Sequence, residues 1–264
     1  MRQLDLTVIS NEQIARDVWR IQLSTDNCQL STDNCQLSIA PGTFVNLRID
    51  GHYLRRPISV CDWEVAERAA GTPPLHTLTL IYKAVGQGTR RLAAYQVSEC
   101  VNALAALGNG YTLVDAQRPL LLGGGVGVPP LYYLAKALVK RGQAPVAVLG
   151  FNTAAEVFYA DAFAALCETV VMTADGTAGQ KGFVTHAMPG LTYDALYCCG
   201  PEPMLKAVYG SAHELPAGHA QFSFERRMAC GFGACMGCSC KTVTGYKRIC
   251  KEGPVLTREE ILWT

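Results

Sequence analysis

Apolar residues in positions 1–113 come in short runs rich in Val, Ile, Leu and Thr, at 4–10, 18–24, 43–50, 58–63 and 75–85, with Gly or Pro between them. Runs of this length, bounded by turn residues, predict strands. Several in succession predict a small antiparallel barrel. Over 114–215 the rhythm changes. PLLLGG precedes PPLYYLAKALVKR, VAVLGF precedes FYADAFAALC, and ALYCCG precedes EPMLKAVYGSA. Apolar strands alternating with helical patterns predict a parallel sheet with crossover helices. Residues 216–264 differ again, with a strand expected at 221–225, then a Cys/Gly-rich loop and a short tail. The expected organisation is therefore multi-domain: a β-barrel over 1–113, an α/β unit over 114–215 and a small cysteine-loop unit over 216–264.

One segment breaks the pattern. Residues 24–37 are STDNCQL written twice. Ser, Thr, Asp and Asn favour caps and turns over helix interiors, and no apolar seam runs through the repeat. It reads as a tandem duplication accommodated in a surface hairpin loop. Cys28 and Cys35 could also be read as a metal pair, although the second is a copy of the first.

Composition narrows the function. Hydrophobic residues are 49% and charged residues 17% of 264, enough to bury a core and too apolar for a disordered chain. With 23 Lys plus Arg against 22 Asp plus Glu, no electrostatic case exists for nucleic acid or an anionic membrane. No run approaches the ~20 apolar residues of a spanning helix, and the first residues carry no signal-peptide core. A soluble, cytoplasmic protein is expected. In that reducing setting the twelve cysteines point to metal more than to disulfides. Isolated ones in apolar runs, such as Cys167 and Cys198, read as small buried hydrophobes.

The cysteine-rich segment is CGFGACMGCSCKTVTGYKRIC. Cys230, Cys235 and Cys238 give C-x4-C-x2-C, and Cys250 follows after eleven residues. That is the plant-type [2Fe–2S] spacing. Four thiolates must converge on one small cluster while backbone N–H groups approach its sulfurs. Gly231, Gly233, Ala234, Gly237 and Ser239 are small enough to permit both. Cys240 reads as a spectator. The competing reading is structural zinc, which favours paired C-x2-C knuckles, and only one is present.

Two further constellations suit phosphates. Arg56-Pro57-Ile58-Ser59 opens a strand. Ile81-Tyr82-Lys83 ends another, before a turn and helix start containing Gly88 and Thr89. An Arg and a helix N-terminus can together hold a dinucleotide phosphate. In the α/β part, Gly123, Gly124, Gly125 and Gly127 precede Pro129, and Cys199-Gly200-Pro201 ends another strand. Both strand ends belong on the C-terminal edge of a parallel sheet, where ligands bind. After the second α/β strand comes Phe151-Asn152-Thr153-Ala154-Ala155-Glu156, with no Arg or Lys for a 2′-phosphate, which favours NAD over NADP.

Together these motifs resemble the ferredoxin–NADP reductase superfamily. With Arg-Arg-Pro-Ile-Ser, Leu-Gly-Asn-Gly-Tyr at 107–111, the stretch from Asp175 to Thr185 and the cysteine tail, they resemble the electron-transfer subunits of NAD-dependent dihydroorotate dehydrogenase B over nearly the whole chain. The resemblance implies that Arg56, Pro57, Ile58, Ser59, Ile81, Tyr82, Lys83, Gly88 and Thr89 hold FAD. It implies that the 123–129 loop and Cys199-Gly200-Pro201 receive the nicotinamide nucleotide, and that Cys230, Cys235, Cys238 and Cys250 ligate [2Fe–2S]. It further implies an FMN-containing dihydroorotate dehydrogenase catalytic subunit as partner, in a complex of two subunits of each kind. Electrons would pass from that FMN through the cluster and FAD to NAD+, as orotate forms in pyrimidine biosynthesis. No dihydroorotate site is evident in this chain itself. A reductase subunit of a hydrogenase, sulfide dehydrogenase or transhydrogenase complex, a free-standing NADH:acceptor reductase, and a zinc-stabilised binding module are the competing readings.

Overall fold

The computed structural model describes residues 1–25, 38–68, 74–212 and 214–263. Cys28 and Cys35 of the duplicated segment lie outside the described residues.

Six strands form the N-terminal barrel: β1 (Arg2–Ala15), β2 (Val18–Ser24), β3 (Phe44–Leu47), β4 (Arg56–Ala66), β5 (Leu75–Lys83) and β6 (Cys100–Leu107). They close in the order β1-β2-β5-β4-β3-β6, every pair antiparallel. Leu6, Ile21, Val45, Leu47, Val60 and Leu80 are buried completely in its interior. β6 is an element that the sequence reading missed. Its CVNALAAL run is rich in Ala and lacks the β-branched signature, yet Val101, Ala103 and Ala105 alternate inward as a strand requires. Helix α1 (Gln87–Ala93) follows β5.

The second layer is a seven-stranded sheet, formed by β7 (Pro119–Gly124), β8 (Val146–Phe151), β9 (Glu168–Thr173), β10 (Gln180–Lys181), β11 (Ala195–Cys199), β12 (Ala220–Ser223) and β15 (Val255–Thr257). Its order is β10-β9-β8-β7-β11-β12-β15, parallel except for β15 against β12. β7 and β11 are buried along their whole length, as strands covered on both faces must be, which explains their continuous apolar runs. Helix α2 (Pro129–Lys140) begins on proline, which pre-sets its first turn, and buries Leu131, Leu134, Ala135 and Leu138 along one stripe. Helices α3 (Ala160–Ala164), α4 (Val184–Ala187) and α5 (Glu202–Ser211) complete the layer. The expected strand at 221–225 thus forms as β12 inside this sheet, and the segment after the cysteine loop returns as its antiparallel edge. Between them stands the hairpin β13 (Ser239–Thr242) and β14 (Gly245–Arg248). No helix among the described residues is long and apolar enough to cross a membrane.

Polar contacts tie barrel to sheet. Lys136 on α2 reaches Asp62 at 2.6 Å and Glu64 at 3.2 Å on β4. The Tyr133 hydroxyl donates to the Ile39 carbonyl at 3.0 Å. The buried Gln221 amide accepts from the Thr112 N–H at 2.9 Å and donates back to its carbonyl at 2.8 Å, pinning the connecting segment to β12.

Candidate cofactor sites

β4 starts with two arginines whose roles the fold separates. Arg55 is spent on structure: its guanidinium donates to Asn102 Oδ1 at 2.6 Å and to the Asn46 and Asn102 carbonyls at 3.2 Å. Among the described residues Arg56 donates only to the nearby backbone carbonyls of Leu54 and Arg55. Its guanidinium lies against the start of α1, where a Cβ on Gly88 would stand 2.6 Å from Nη2 and 2.7 Å from Cζ. Thr89 closes the turn by accepting the Gly86 N–H at 3.1 Å. The structure therefore brings Arg56, Gly88 and Thr89 together. Pro57 and Ser59 stand half-buried on the same strand. Ile58 and Tyr82 point into the barrel core, and Ile81 into the core between barrel and sheet, so these three offer backbone alone. Lys83 turns instead to Glu156 at 3.4 Å.

Glu156 is also met by Arg16 at 3.1 Å and by the Asn152 amide at 2.8 Å. Burial opposes its charge, but Arg16, Asn152 and Lys83 together hold the carboxyl down at about 2. The local sequence contains no cation here; the barrel delivers two from elsewhere in the chain, and Glu156 engages both.

The glycine-rich turn after β7 packs on the turn after β11. Gly123 pairs in register with Cys199. A Cβ on Gly127 would stand 2.7 Å from the Gly200 Cα and collide with the Cys199 carbonyl, and one on Gly124 would meet Pro201 at 3.1 Å. Gly125 adopts φ +53°, a conformation that glycine enters at little cost. Beside these turns opens a cavity of about 370 Å³ lined by Gly200, Pro201, Glu202, Phe224, Arg226 and Arg227. Phe224 and the two arginines were not legible as site residues, because only the β11–β12 pairing brings them to Cys199-Gly200-Pro201. The 175–185 stretch folds onto the end of β8, where the Thr177 hydroxyl accepts the Ala154 N–H at 2.8 Å and donates to Asp175 at 2.6 Å.

The cysteines group two by two. The Ala234 N–H donates to Cys230 Sγ at 3.3 Å, and the Cys250 N–H to Cys238 Sγ at 3.4 Å. Burial works against the Cys230 thiolate, yet hydrogen bonds from the Cys235 and Phe232 N–H groups, the Cys235 thiol and the Ala234 N–H bring it to about 6. Cys250 is pushed up to about 12, by burial first and then by its contact with Cys238. Cys235 is exposed, whereas Cys238 and Cys250 are buried in the core that the sheet shares with Phe44 and Leu107 of the barrel. Gly231 (φ +77°) and Gly233 (φ +93°) bend the loop, and Arg248 holds the Gly233 carbonyl at 2.7 Å. The Asn109 amide of the 107–111 motif donates to the Glu252 carbonyl at 3.0 Å, anchoring the Cys250 end to the barrel.

This donor set fits a two-iron cluster. Two thiol pairs, with N–H donors on their sulfurs, suit two irons each taking two thiolates. Tetrahedral zinc would draw four ligands to one centre. Cys240 lies apart on β13 opposite Lys247, half-buried in the hairpin.

Residues 225–262 match the family model of the iron-sulfur cluster binding domain of dihydroorotate dehydrogenase B. The dihydroorotate dehydrogenase B (NAD(+)) electron transfer subunit of Geobacillus sp. (strain WCH70) is 40% identical over 273 residues, covering 99% of each chain. That of Fusobacterium nucleatum is 41% identical over 275 residues, again covering 99% of each. Among solved structures, that of an NADH-dependent reduced ferredoxin-NADP oxidoreductase superposes with a TM-score of 0.81 at 28% identity, over 98% of this chain and 90% of the other. Phthalate dioxygenase reductase shares the fold with a TM-score of 0.62 at 16% identity, over 91% of this chain and 87% of the other.

Proposed function

This chain belongs to the family of dihydroorotate dehydrogenase B (NAD(+)) electron transfer subunits, and from that premise we propose how its residues divide the work. It is the electron-transfer subunit of an oxidoreductase complex, using FAD, a [2Fe–2S] cluster and NAD. A flavin exchanges electron pairs with a nicotinamide and single electrons with an iron–sulfur centre; that chemistry belongs to the cofactors, and the protein supplies binding, orientation and exclusion of water.

Residues 1–113 hold FAD. Arg56 and the α1 start around Gly88 and Thr89 take its pyrophosphate, while Pro57, Ile58, Ser59, Ile81, Tyr82 and Lys83 line its path, several through backbone alone. Residues 114–215 receive NAD at Gly123, Gly124, Gly125, Gly127 and Pro129 and at Cys199, Gly200 and Pro201, with the adjoining cavity open to the nicotinamide end. Residues 216–264 carry the cluster on Cys230, Cys235, Cys238 and Cys250. The partner is an FMN-containing catalytic subunit that oxidises dihydroorotate, in a two-plus-two assembly in the cytoplasm, where thiols stay reduced.

The observation that carries this reading is the seat of the cysteine loop. It packs on the outer face of β3 and β6, next to the strand that begins with Arg56, with Phe44 and Leu107 in one core with Cys238 and Cys250. A chain built this way keeps its two redox groups adjacent. Anaerobic NADH titration followed by electron paramagnetic resonance tests it. NADH should reduce the cluster in FAD-loaded chain and leave it oxidised in chain stripped of flavin. Equal reduction in both would refute the order of carriers.

A further inference from the structure

We propose that Arg248 is a positioning residue for the cluster: it fixes the peptide between Gly233 and Ala234 so that the Ala234 N–H is aimed at Cys230 Sγ, and it thereby raises the potential at which the cluster takes its electron. This deepens the reading above and rests on Cys230 ligating [2Fe–2S].

A single peptide group meets both partners. The Gly233 carbonyl accepts from Arg248 Nη1 at 2.7 Å. The N–H on the other side of that peptide bond belongs to Ala234, and it donates to Cys230 Sγ at 3.3 Å. A peptide bond is planar, so whatever holds its carbonyl also sets the direction of its N–H. Gly233 stands at φ +93°, a conformation that glycine enters at little cost and that other residues avoid. Without a grip on its carbonyl, this peptide would be free to turn its N–H away from the sulfur. A cation on the carbonyl also polarises the peptide and strengthens the bond that its N–H makes.

The guanidinium is itself held in place. Its Nε donates to the Glu252 carboxylate oxygens at 2.9 and 3.1 Å, its Nη2 donates to Oε1, and the Arg248 backbone N–H donates to Oε2 at 2.8 Å. An Arg–carboxylate fork fixes the plane of the guanidinium, which leaves Nη1 aimed at Gly233. Glu252 in turn rests on the barrel: its carbonyl accepts the Asn109 amide at 3.0 Å, and the Gly253 carbonyl accepts the Asn109 N–H at 2.5 Å. One side chain thus ties the loop bearing Cys230 and Cys235 to the segment that follows Cys250. Hydrogen bonds to the sulfurs and local charge set the potential of an iron–sulfur cluster. An N–H on a thiolate sulfur favours the reduced state, which carries one more negative charge, so losing that donor lowers the potential.

The test uses the full chain reconstituted with FAD and cluster. Redox titration followed by electron paramagnetic resonance gives the midpoint potential, and resonance Raman spectroscopy gives the Fe–S(Cys) stretching bands. A parent chain with no [2Fe–2S] signal would sink the cluster reading itself, a failure visible before any variant is made. Arg248→Met removes both the charge and the grip. Arg248→Lys keeps the charge but cannot hold the Glu252 carboxylate and the Gly233 carbonyl together. Iron content is measured first. In Arg248→Met the equilibrium should move about tenfold toward the oxidised cluster, a fall of ~59 mV for a one-electron couple. Arg248→Lys should fall most of that way, and the Fe–S(Cys) bands should shift in both variants. If Arg248→Met holds no cluster, Arg248→Lys decides alone. A parent-like potential in Arg248→Lys would show that charge acts without positioning and would overturn the role, as would an unchanged potential in Arg248→Met.

Discussion

The Arg56 guanidinium lies where a side chain on Gly88 would have to be. A strand start and a helix start thus form one positively charged corner, while the neighbouring Arg55 is tied to Asn102 and Asn46. Arg56→Ala and Gly88→Ala should each weaken FAD binding by roughly ten- to hundredfold, the scale of a charge-assisted hydrogen bond. Arg55→Ala should lower thermal stability more than FAD affinity. Flavin titration of the three variants distinguishes the roles; an unchanged affinity in Arg56→Ala would remove the phosphate assignment.

The cysteines separate in the same way. Cys250→Ser should lose the cluster, since Cys250 pairs with Cys238. Cys240→Ser should retain it, since Cys240 stands on the hairpin opposite Lys247. Iron and sulfide analysis after anaerobic reconstitution decides the point, and the reverse pattern would require a new ligand set.

The Glu156 cluster makes a pH-dependent link between barrel and sheet. Its carboxyl is held at about 2 in the folded chain, against about 4.3 in an unfolded one. Its contribution to stability is therefore complete above about pH 4.3 and is lost as pH falls through about 2. Glu156→Gln should melt lower than the parent at neutral pH. The gap should close on acidification across that window. A gap that is constant with pH would show that the charge contributes nothing.

Gly127→Ala should disturb the nucleotide edge, because the new methyl would press on the Cys199 carbonyl and the Gly200 Cα. Overpacking of this kind costs about 1–3 kcal/mol. The variant should unfold earlier and show a raised KM for NADH. A normal KM would place the nucleotide away from this turn.

Much of this arrangement was legible in the sequence. The 18–24 run is the strand β2, and the alternation of apolar runs with helical patterns predicts the parallel sheet that forms. What escaped depended on distant partners. β6 is strand only because it closes the barrel against β1 and β3; its alanines alone suggest a helix. Asn46 and Cys230 are 184 residues apart, so nothing near Asn46 marks it as a neighbour of the cluster. Arg16 and Lys83 reach Glu156 only after the barrel docks on the sheet, so the local absence of cations after β8 described the sequence and not the site.

The most direct test of the central claim is dihydroorotate-driven reduction of NAD+, run anaerobically with this chain and the FMN-bearing catalytic subunit from the same cell. The account predicts that NADH forms only when both chains are present. Oxidation of NADH by this chain with an artificial dye, without any coupling to dihydroorotate, would contradict it.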